Sequence, residues 1–181
     1  MKKHLFGIIF LAALCLFVSG CLTCEQKQYI FKIHEDHTVT LTIRYINIML
    51  TPGDSITKDS AYRFLVEEYV NGDRVDADFP DASNFKKRLF EENGVLCGEV
   101  SMDFPNLEAA GIFQYDPNGP YMVSMTSLGS EEYSTSNGGY PGEKMPVVFW
   151  DNKLDELQVT TLVEKNGDPS YSLLDVYRQV K

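Results

Sequence analysis

The stretch that decides the fold is residues 29–45, which read YIFKIHEDHTVTLTIRY. On both sides of its polar centre, apolar and polar side chains alternate, and the apolar ones are mostly β-branched or aromatic. A period of two in such residues is typical of strands that bury one face. The centre, residues 34–37, reads His-Glu-Asp-His and predicts a turn. The stretch therefore predicts a β-hairpin, and we expect its threonine-rich face to be solvent-facing or lightly covered.

Three helices are predicted after this hairpin. The first is capped by Asp59 or Ser60 and runs to about Val70, and the last, at the C-terminus, is capped by Ser170 or Ser172. The middle one covers residues 83–93, because an Asn-Gly pair at its end suits a left-handed C-terminal cap.

Further strands are predicted by short apolar or alternating runs bounded by turn residues. They cover residues 95–104, 112–115, 121–125, 147–150 and 157–163. Together the segments predict an α+β fold over residues 29–181. It is a single domain with an antiparallel sheet of about six strands that opens with a β-hairpin, and it has about three helices.

The overall charge excludes one class of function. The chain of 181 residues carries 16 Lys or Arg against 26 Asp or Glu, a formal net charge of −10. A general nucleic-acid binder needs a basic face for phosphates, so we expect no nucleic-acid partner. The 44% hydrophobic content is enough for a buried core.

The N-terminus has the pattern of a secretory signal. Lys2 and Lys3 precede an apolar run over residues 5–18, and small residues lead to a cysteine in Val18-Ser19-Gly20-Cys21. These four residues resemble the lipobox of bacterial lipoproteins. The resemblance implies that a peptidase cuts between Gly20 and Cys21, and that the Cys21 thiol receives a diacylglyceryl group.

This resemblance implies a domain organisation and a location. Residues 1–20 would be the signal peptide and residues 21–28 a lipidated tether. The protein would then be anchored to a bacterial membrane in the cell envelope, with its domain on the extracytoplasmic side. The alternative is a membrane-spanning anchor, because residues 5–24 are uncharged and long enough to cross a bilayer. Both alternatives place Lys2 and Lys3 inside and the domain outside.

Two cysteines remain in the domain once the signal and the lipid site are set aside. Cys24 and Cys97 can pair in an oxidising compartment. Alternatively Cys97, which follows Val95-Leu96, is buried as a small apolar residue.

The sequence predicts no catalytic residues, no metal site and no cofactor. His34 and His37 are three apart in a turn, whereas a zinc protease helix needs two histidines four apart. The aspartates of residues 73–81 leave a calcium site open, although charge runs are usually solvated surface. A hydrolase that uses scattered carboxylates is the least favoured function.

The favoured hypothesis is a non-enzymatic lipoprotein with a binding or maintenance role in the envelope, where its partner is an envelope protein or a glycan. A second hypothesis concerns residues 127–146, a long segment rich in Ser, Gly and Tyr. Loops of this length are often functional. In this hypothesis Tyr133, Tyr140 and Trp150 bind a glycan or a peptide through their aromatic faces.

Overall fold

The predicted hairpin opens the domain. A computed structural model describes residues 22–51, 56–128, 131–163 and 170–181. Strands β1 (Leu22–Ile33) and β2 (Val39–Leu50) pair antiparallel. The His34 amide closes their turn by donating to the Thr38 carbonyl at 2.9 Å. The prediction of a hairpin is confirmed.

The hairpin lies at the centre of a seven-stranded antiparallel sheet. The other members are β3 (Ser83–Glu92), β4 (Val95–Phe104), β6 (Glu132–Ser136), β8 (Glu156–Leu162) and β9 (Tyr171–Ser172). The order is β3-β4-β2-β1-β8-β6, and β9 pairs with β2. A second sheet has two strands, β5 (Tyr121–Ser124) and β7 (Val147–Trp150).

Three α-helices complete the domain, together with a π-helix and a 3₁₀ turn. They are α1 (Lys58–Phe64), the π-helix (Leu65–Val70), α2 (Arg74–Asp78), the 3₁₀ turn (Met125–Leu128) and α3 (Leu174–Val180). No helix among the described residues is both long and apolar enough to cross a membrane. The predicted α+β fold, with its antiparallel sheet and three helices, is confirmed.

Neither expected cap is the one observed: for α3 the N-cap residue is Leu173, not Ser170 or Ser172, and it makes no side-chain capping bond. Thr57, not Asp59 or Ser60, caps α1, and Ser60 completes a capping box with it. At the C-terminus the Ser172 hydroxyl accepts a hydrogen bond from the Leu174 amide at 3.2 Å, beside the start of α3.

The helix predicted over residues 83–93 is wrong, because this segment is the edge strand β3. Its residues pair with β4 from Ser83↔Asp103 to Glu92↔Val95. Asn93 and Gly94 both have positive φ, 52° and 76°, and form the tight turn between the two strands. An Asn-Gly pair favours a hairpin turn as well as a helix cap, and here the long pairing with β4 decides between them.

Residues 22–28, which were expected to form part of a tether, belong to strand β1 instead. Leu22 already pairs with Leu50 of β2, so the sheet begins at Leu22 and not at Tyr29. Two further expectations change. Of the strand expected over residues 112–115, only Phe113 forms a bridge, to Met122. The expected long loop contains the edge strand β6.

The core lies on one face of the large sheet and has two parts. In the first part, Phe31, Leu41 and Met102 pack against Val148 and Trp150, among others. The second part lies beneath α1, the π-helix and α3. Threonines of β2 occupy the opposite face and are half-buried, as the alternation predicted.

A local change in β2 joins the two parts of the core. Asn47 has a positive φ of 57° and interrupts the strict alternation of the strand. As a result Ile48 and Leu50 are buried on the same side as Leu41 and Ile43. The space between the two parts is the site described next.

Candidate functional site

An apolar cavity of about 250 Å³ lies between the sheet and the π-helix. Strands β1 to β4 and the π-helix all contribute side chains to it. Most of these side chains are apolar, and they include Leu22, Ile48, Leu65, Val75, Leu89 and Val100. Cavities that bind small molecules are typically apolar, with volumes of ~300–1,000 Å³, and this one is similar in lining and slightly smaller. We call this space the apolar cavity.

The π-helix forms one wall of the apolar cavity. Leu65, Tyr69 and Val70, three of its six residues, line the space. At its end the Asn71 amide donates to the Val66 carbonyl at 2.9 Å, which is the i to i+5 bond of a π-helix. Such turns are rare and are frequently found at functional sites, which supports a role for this wall.

Gly72 follows the π-helix and is needed for its tight end. A Cβ atom at this position would lie 2.6 Å from the Glu68 carbonyl oxygen and 2.7 Å from that of Glu67. Both obstacles are backbone atoms, so any side chain would have to move the helix itself. The conformation of this wall therefore depends on glycine at position 72.

A second glycine, Gly98, lies in the opposite wall of the apolar cavity and adds no side chain to it. It lies within β4, opposite Tyr45 of β2. A Cβ atom on Gly98 would lie 3.0 Å from Ile48 Cδ1 and 3.5 Å from Leu89 Cδ2. Glycine weakens a strand interior, and its presence there often marks a close approach of another group. Here it leaves room beside two apolar side chains of the cavity.

The cationic side chains that line the apolar cavity each have an anionic partner. Lys87 is almost buried, forms an ion pair with Asp76 and also donates to the Gly72 carbonyl at 2.7 Å. Arg88 pairs with Glu99 at 2.8 Å. These pairs neutralise the rim, so the cavity suits an uncharged apolar group and not an anion.

Tyr45 adds a polar but neutral group to the same lining. Burial raises the pKa of its phenol well above the ordinary value, and nearby thiol and carboxyl groups add to this effect. The hydroxyl therefore keeps its proton at physiological pH and brings no charge into the apolar cavity.

A second cavity, of about 340 Å³, brings together two of the three residues predicted to bind a ligand. Tyr133 and Tyr140 line it, and their rings stack with centroids 4.0 Å apart and planes 19° apart. Glu131, Glu132 and Glu143 also line this space. We call it the tyrosine cavity.

Trp150, the third predicted residue, has a different role. It is only 1% exposed and lies in the core, so its ring is not available to a ligand. Its Nε1 donates to the Asn137 side-chain oxygen at 2.7 Å, and that oxygen also accepts from the Gln158 amide. Trp150 therefore holds the segment between β6 and β7 in place, and the prediction of direct binding by this residue is corrected.

A buried carboxylate separates the two cavities. Glu131 lines the tyrosine cavity, Lys27 lines the apolar cavity, and the two form an ion pair at 2.5 Å. The Glu131 side chain is only 8% exposed. It also accepts hydrogen bonds from the Tyr29 hydroxyl at 3.1 Å and from the Thr161 hydroxyl. Burial, followed by the charge of Glu131, raises the pKa of Tyr29.

Sequence reasoning missed this cluster because its members are far apart along the chain. Lys27 and Glu131 are separated by 104 positions, and no local pattern connects them. The one available signal was Thr161, which lies on the core face of β8 among apolar residues and is fully buried.

His34, one of the two turn histidines considered in the sequence, lies in a hydrogen-bonded cluster that differs from a catalytic triad. His34 Nε2 lies 2.9 Å from the Thr40 hydroxyl, and that hydroxyl donates to Asp103 at 2.7 Å. Hydrogen bonds from Thr40 and Asn84 hold the pKa of Asp103 below its usual value. A hydrolase triad places the histidine between hydroxyl and carboxylate, whereas here the hydroxyl lies between them. The hydrogen bonds of Asp103 with Thr40 and Asn84 instead link β4 to β2 and β3.

The other predicted chemical groups are also placed by the structure. Cys24 and Cys97 are both buried thiols, and burial raises the pKa of Cys97, which makes it a poor nucleophile. Among the described residues, no three His, Cys, Asp or Glu side chains are grouped as metal ligands. Asp76, from the segment considered for calcium, pairs with Lys87 instead. Gly20 and Cys21 lie outside the described residues.

No protein-family model, curated protein or solved structure matches this chain. The features that bear on function are therefore the geometry of the two cavities and the N-terminal pattern.

Proposed function

We propose that this protein is a lipoprotein of the cell envelope that binds an apolar or amphiphilic small molecule without chemical conversion. The apolar cavity between the π-helix and Gly98 carries this proposal. The N-terminal pattern through Cys21 supports the anchor and the extracytoplasmic location. Its membrane partner is engaged through lipid on Cys21.

The physical basis of binding is the burial of apolar surface. The walls offer hydrocarbon side chains, and the charges at the rim are already paired. A methylene group moved from water into such a space gains about 0.8 kcal/mol. A chain of several methylene groups can therefore bind without any ionic contact, and its polar end would remain at the open side.

The position of the domain is consistent with an apolar ligand. Because β1 already begins at Leu22, a lipid on Cys21 would hold the domain directly at the membrane surface. The start of β1, including Leu22 and Cys24, also lines the apolar cavity. The cavity would therefore lie on the side of the domain that is nearest to the bilayer.

A cavity-filling substitution tests this function. We expect Val70→Trp to weaken binding of cis-parinaric acid, a fluorescent fatty acid, by at least about tenfold, which is ~1.4 kcal/mol. The indole would occupy space in the apolar cavity, which Val70 lines. Both proteins are purified with Cys21→Ala, so that no lipid attached to this residue can occupy the cavity. Fluorescence titration measures the dissociation constants, and thermal unfolding checks that the variant is folded.

Val180→Trp is the matched control, since Val180 is 63% exposed and does not line the apolar cavity. It should bind like the wild type. Equal affinity in a folded Val70→Trp variant, or no binding by the unlipidated protein that lacks Val70→Trp, would contradict the proposal.

A second candidate function is recognition of a glycan or a peptide by the tyrosine cavity. The stacked rings of Tyr133 and Tyr140 favour it, because an aromatic face beside carboxylates suits polar ligands with apolar faces. This function retains two of the three residues predicted from the sequence.

For this candidate we expect the wild type to bind on a glycan array and Tyr140→Ala to lose the signal. Removing the ring takes away half of the stacked pair. Tyr115→Ala is the control, because Tyr115 is 97% exposed and is not part of the tyrosine cavity. A wild-type protein that gives no signal on glycan or peptide arrays excludes this candidate.

A further inference from the structure

The start of β1 forms part of the wall of the apolar cavity. Leu22, Thr23 and Cys24 all line it. Leu22 is also the residue that follows Cys21, the site of the proposed lipid. We propose that one acyl chain of the lipid on Cys21 occupies the apolar cavity. This inference rests on the proposed lipoprotein function and names the ligand of its site.

The residue next to the attachment point is fixed at the wall of the apolar cavity. Residues 22–24 are held in the sheet by pairing with β2, from Leu22↔Leu50 to Cys24↔Ile48. They cannot act as a loose spacer that carries the lipid away from the domain. Leu22, the sequence neighbour of Cys21, is itself part of this wall, and one residue of extended chain spans at most about 3.6 Å. A chain attached there begins beside the cavity.

The chemistry of the cavity suits a saturated chain. Its lining is mainly hydrocarbon, and Lys87 and Arg88 are neutralised by Asp76 and Glu99. A hydrocarbon chain requires neither a hydrogen bond nor a counter-charge. A ligand with a buried charge would leave that charge without a partner in this cavity.

Attachment favours the protein's own lipid over a free phospholipid. A tethered ligand has an effective concentration on the order of millimolar near its site and loses little further freedom when it binds. A membrane phospholipid must leave the bilayer to reach the same space. With one of its two acyl chains in the cavity, the diacylglyceryl group keeps the other in the bilayer, and a single chain gives reversible membrane attachment.

The experiment uses full-length protein in its own membrane. Cells are fed a palmitate analogue that carries a photoreactive diazirine, and the cells are then irradiated. The protein is purified and examined by peptide mass spectrometry. We expect the analogue on Cys21 to be cross-linked to cavity residues such as Leu65, Leu89 and Val100. Filling the cavity by Val70→Trp, or by Val100→Phe from the opposite wall, should abolish these cross-links. Val180→Trp should retain them.

Each remaining outcome identifies which idea fails. Label on Cys21 without cross-links to the cavity would overturn the inference and leave the lipid anchor in place. Cross-links from a chain that is not attached to Cys21 would overturn the inference but support lipid binding by the apolar cavity. Equal label on the wild type and on Cys21→Ala, or label on neither, would overturn the lipid anchor itself.

Discussion

Gly72→Ala should destabilise the protein by about 1–3 kcal/mol, the usual cost of forcing extra atoms into a packed site. The new Cβ atom would be placed 2.6 Å from the Glu68 carbonyl oxygen and 2.7 Å from that of Glu67. Neither atom can rotate away, because both belong to the backbone of the π-helix. The last turn of that helix must therefore shift, and Tyr69 and Val70 would shift with it.

The shift has a functional consequence in addition to its cost in stability. Because Tyr69 and Val70 line the apolar cavity, we expect Gly72→Ala to weaken cis-parinaric acid binding as well. For a chain of this size, each kcal/mol corresponds to a change of about 2–4 °C in Tm. Thermal unfolding and the fluorescence titration measure the two effects separately.

Gly139→Ala is the matched control for this substitution. A Cβ atom at Gly139 would meet only the Phe149 carbonyl oxygen, at an ordinary contact distance of 4.0 Å. We expect its free energy of unfolding to change by no more than about 0.5 kcal/mol. If Gly72→Ala were as stable as Gly139→Ala, the π-helix would not depend on the close approach described above.

The fold was predictable where local pattern and long-range pairing agree. In residues 29–45 the alternation of side chains, the polar turn and the strong β propensity all favour a hairpin, and β1 and β2 form one. The same agreement holds for β4, whose predicted residues 95–104 match the observed strand. Local signals of this kind need no knowledge of the partner strand.

Residues 83–93 were mispredicted because their local pattern fits two structures. Phe85 and Leu89 are four positions apart, a spacing that places them on one face of a helix. Because four is an even number, the same spacing also places them on one face of a strand. Asn93-Gly94 likewise fits a helix cap or a hairpin turn. Pairing with β4 decides between them, and it is a long-range property that a single window of sequence does not contain.

The candidate site was predictable only in part, for a similar reason. Tyr133 and Tyr140 lie in a polar segment that suggested a ligand site, and the structure stacks them. Trp150 was assigned to the same site because it is close in sequence, but β7 directs it into the core. Gly72 ends the wall formed by the π-helix and Gly98 lines the opposite wall, and no local pattern in the sequence connects the two glycines.

Glu131→Ala should destabilise the protein by about 3 kcal/mol, the lower end of the range for breaking a buried ion pair. The side chain is 8% exposed, and its loss leaves three donors without their common acceptor. These donors are Lys27, Tyr29 and Thr161. Lys27 is 25% exposed and can turn towards water, which is why we expect the lower value. The buried hydroxyls cannot do so as easily.

Two variants separate the charge of Glu131 from its hydrogen bonds and from its location. Glu131→Gln retains an acceptor oxygen and should cost less than Glu131→Ala. Glu132→Ala removes a neighbouring carboxylate that is exposed, and should change the free energy of unfolding by no more than about 0.5 kcal/mol. Urea unfolding of the four proteins gives the comparison. A loss in Glu131→Ala no larger than that in Glu132→Ala would contradict the structural role of the cluster.

The same variants test a prediction of how the free energy of unfolding changes at alkaline pH. Burial and the Glu131 carboxylate raise the pKa of Tyr29, so the folded protein holds this proton more tightly than the unfolded chain does. The resulting stabilisation is complete below the ordinary tyrosine pKa of about 10, and it is lost as the pH rises above that value. Removing Glu131 takes away the charge and the hydrogen bond but leaves the burial. The free energy of unfolding should therefore fall less between neutral and alkaline pH in Glu131→Ala than in Glu132→Ala. An equal fall in the two variants would show that Glu131 does not act on Tyr29.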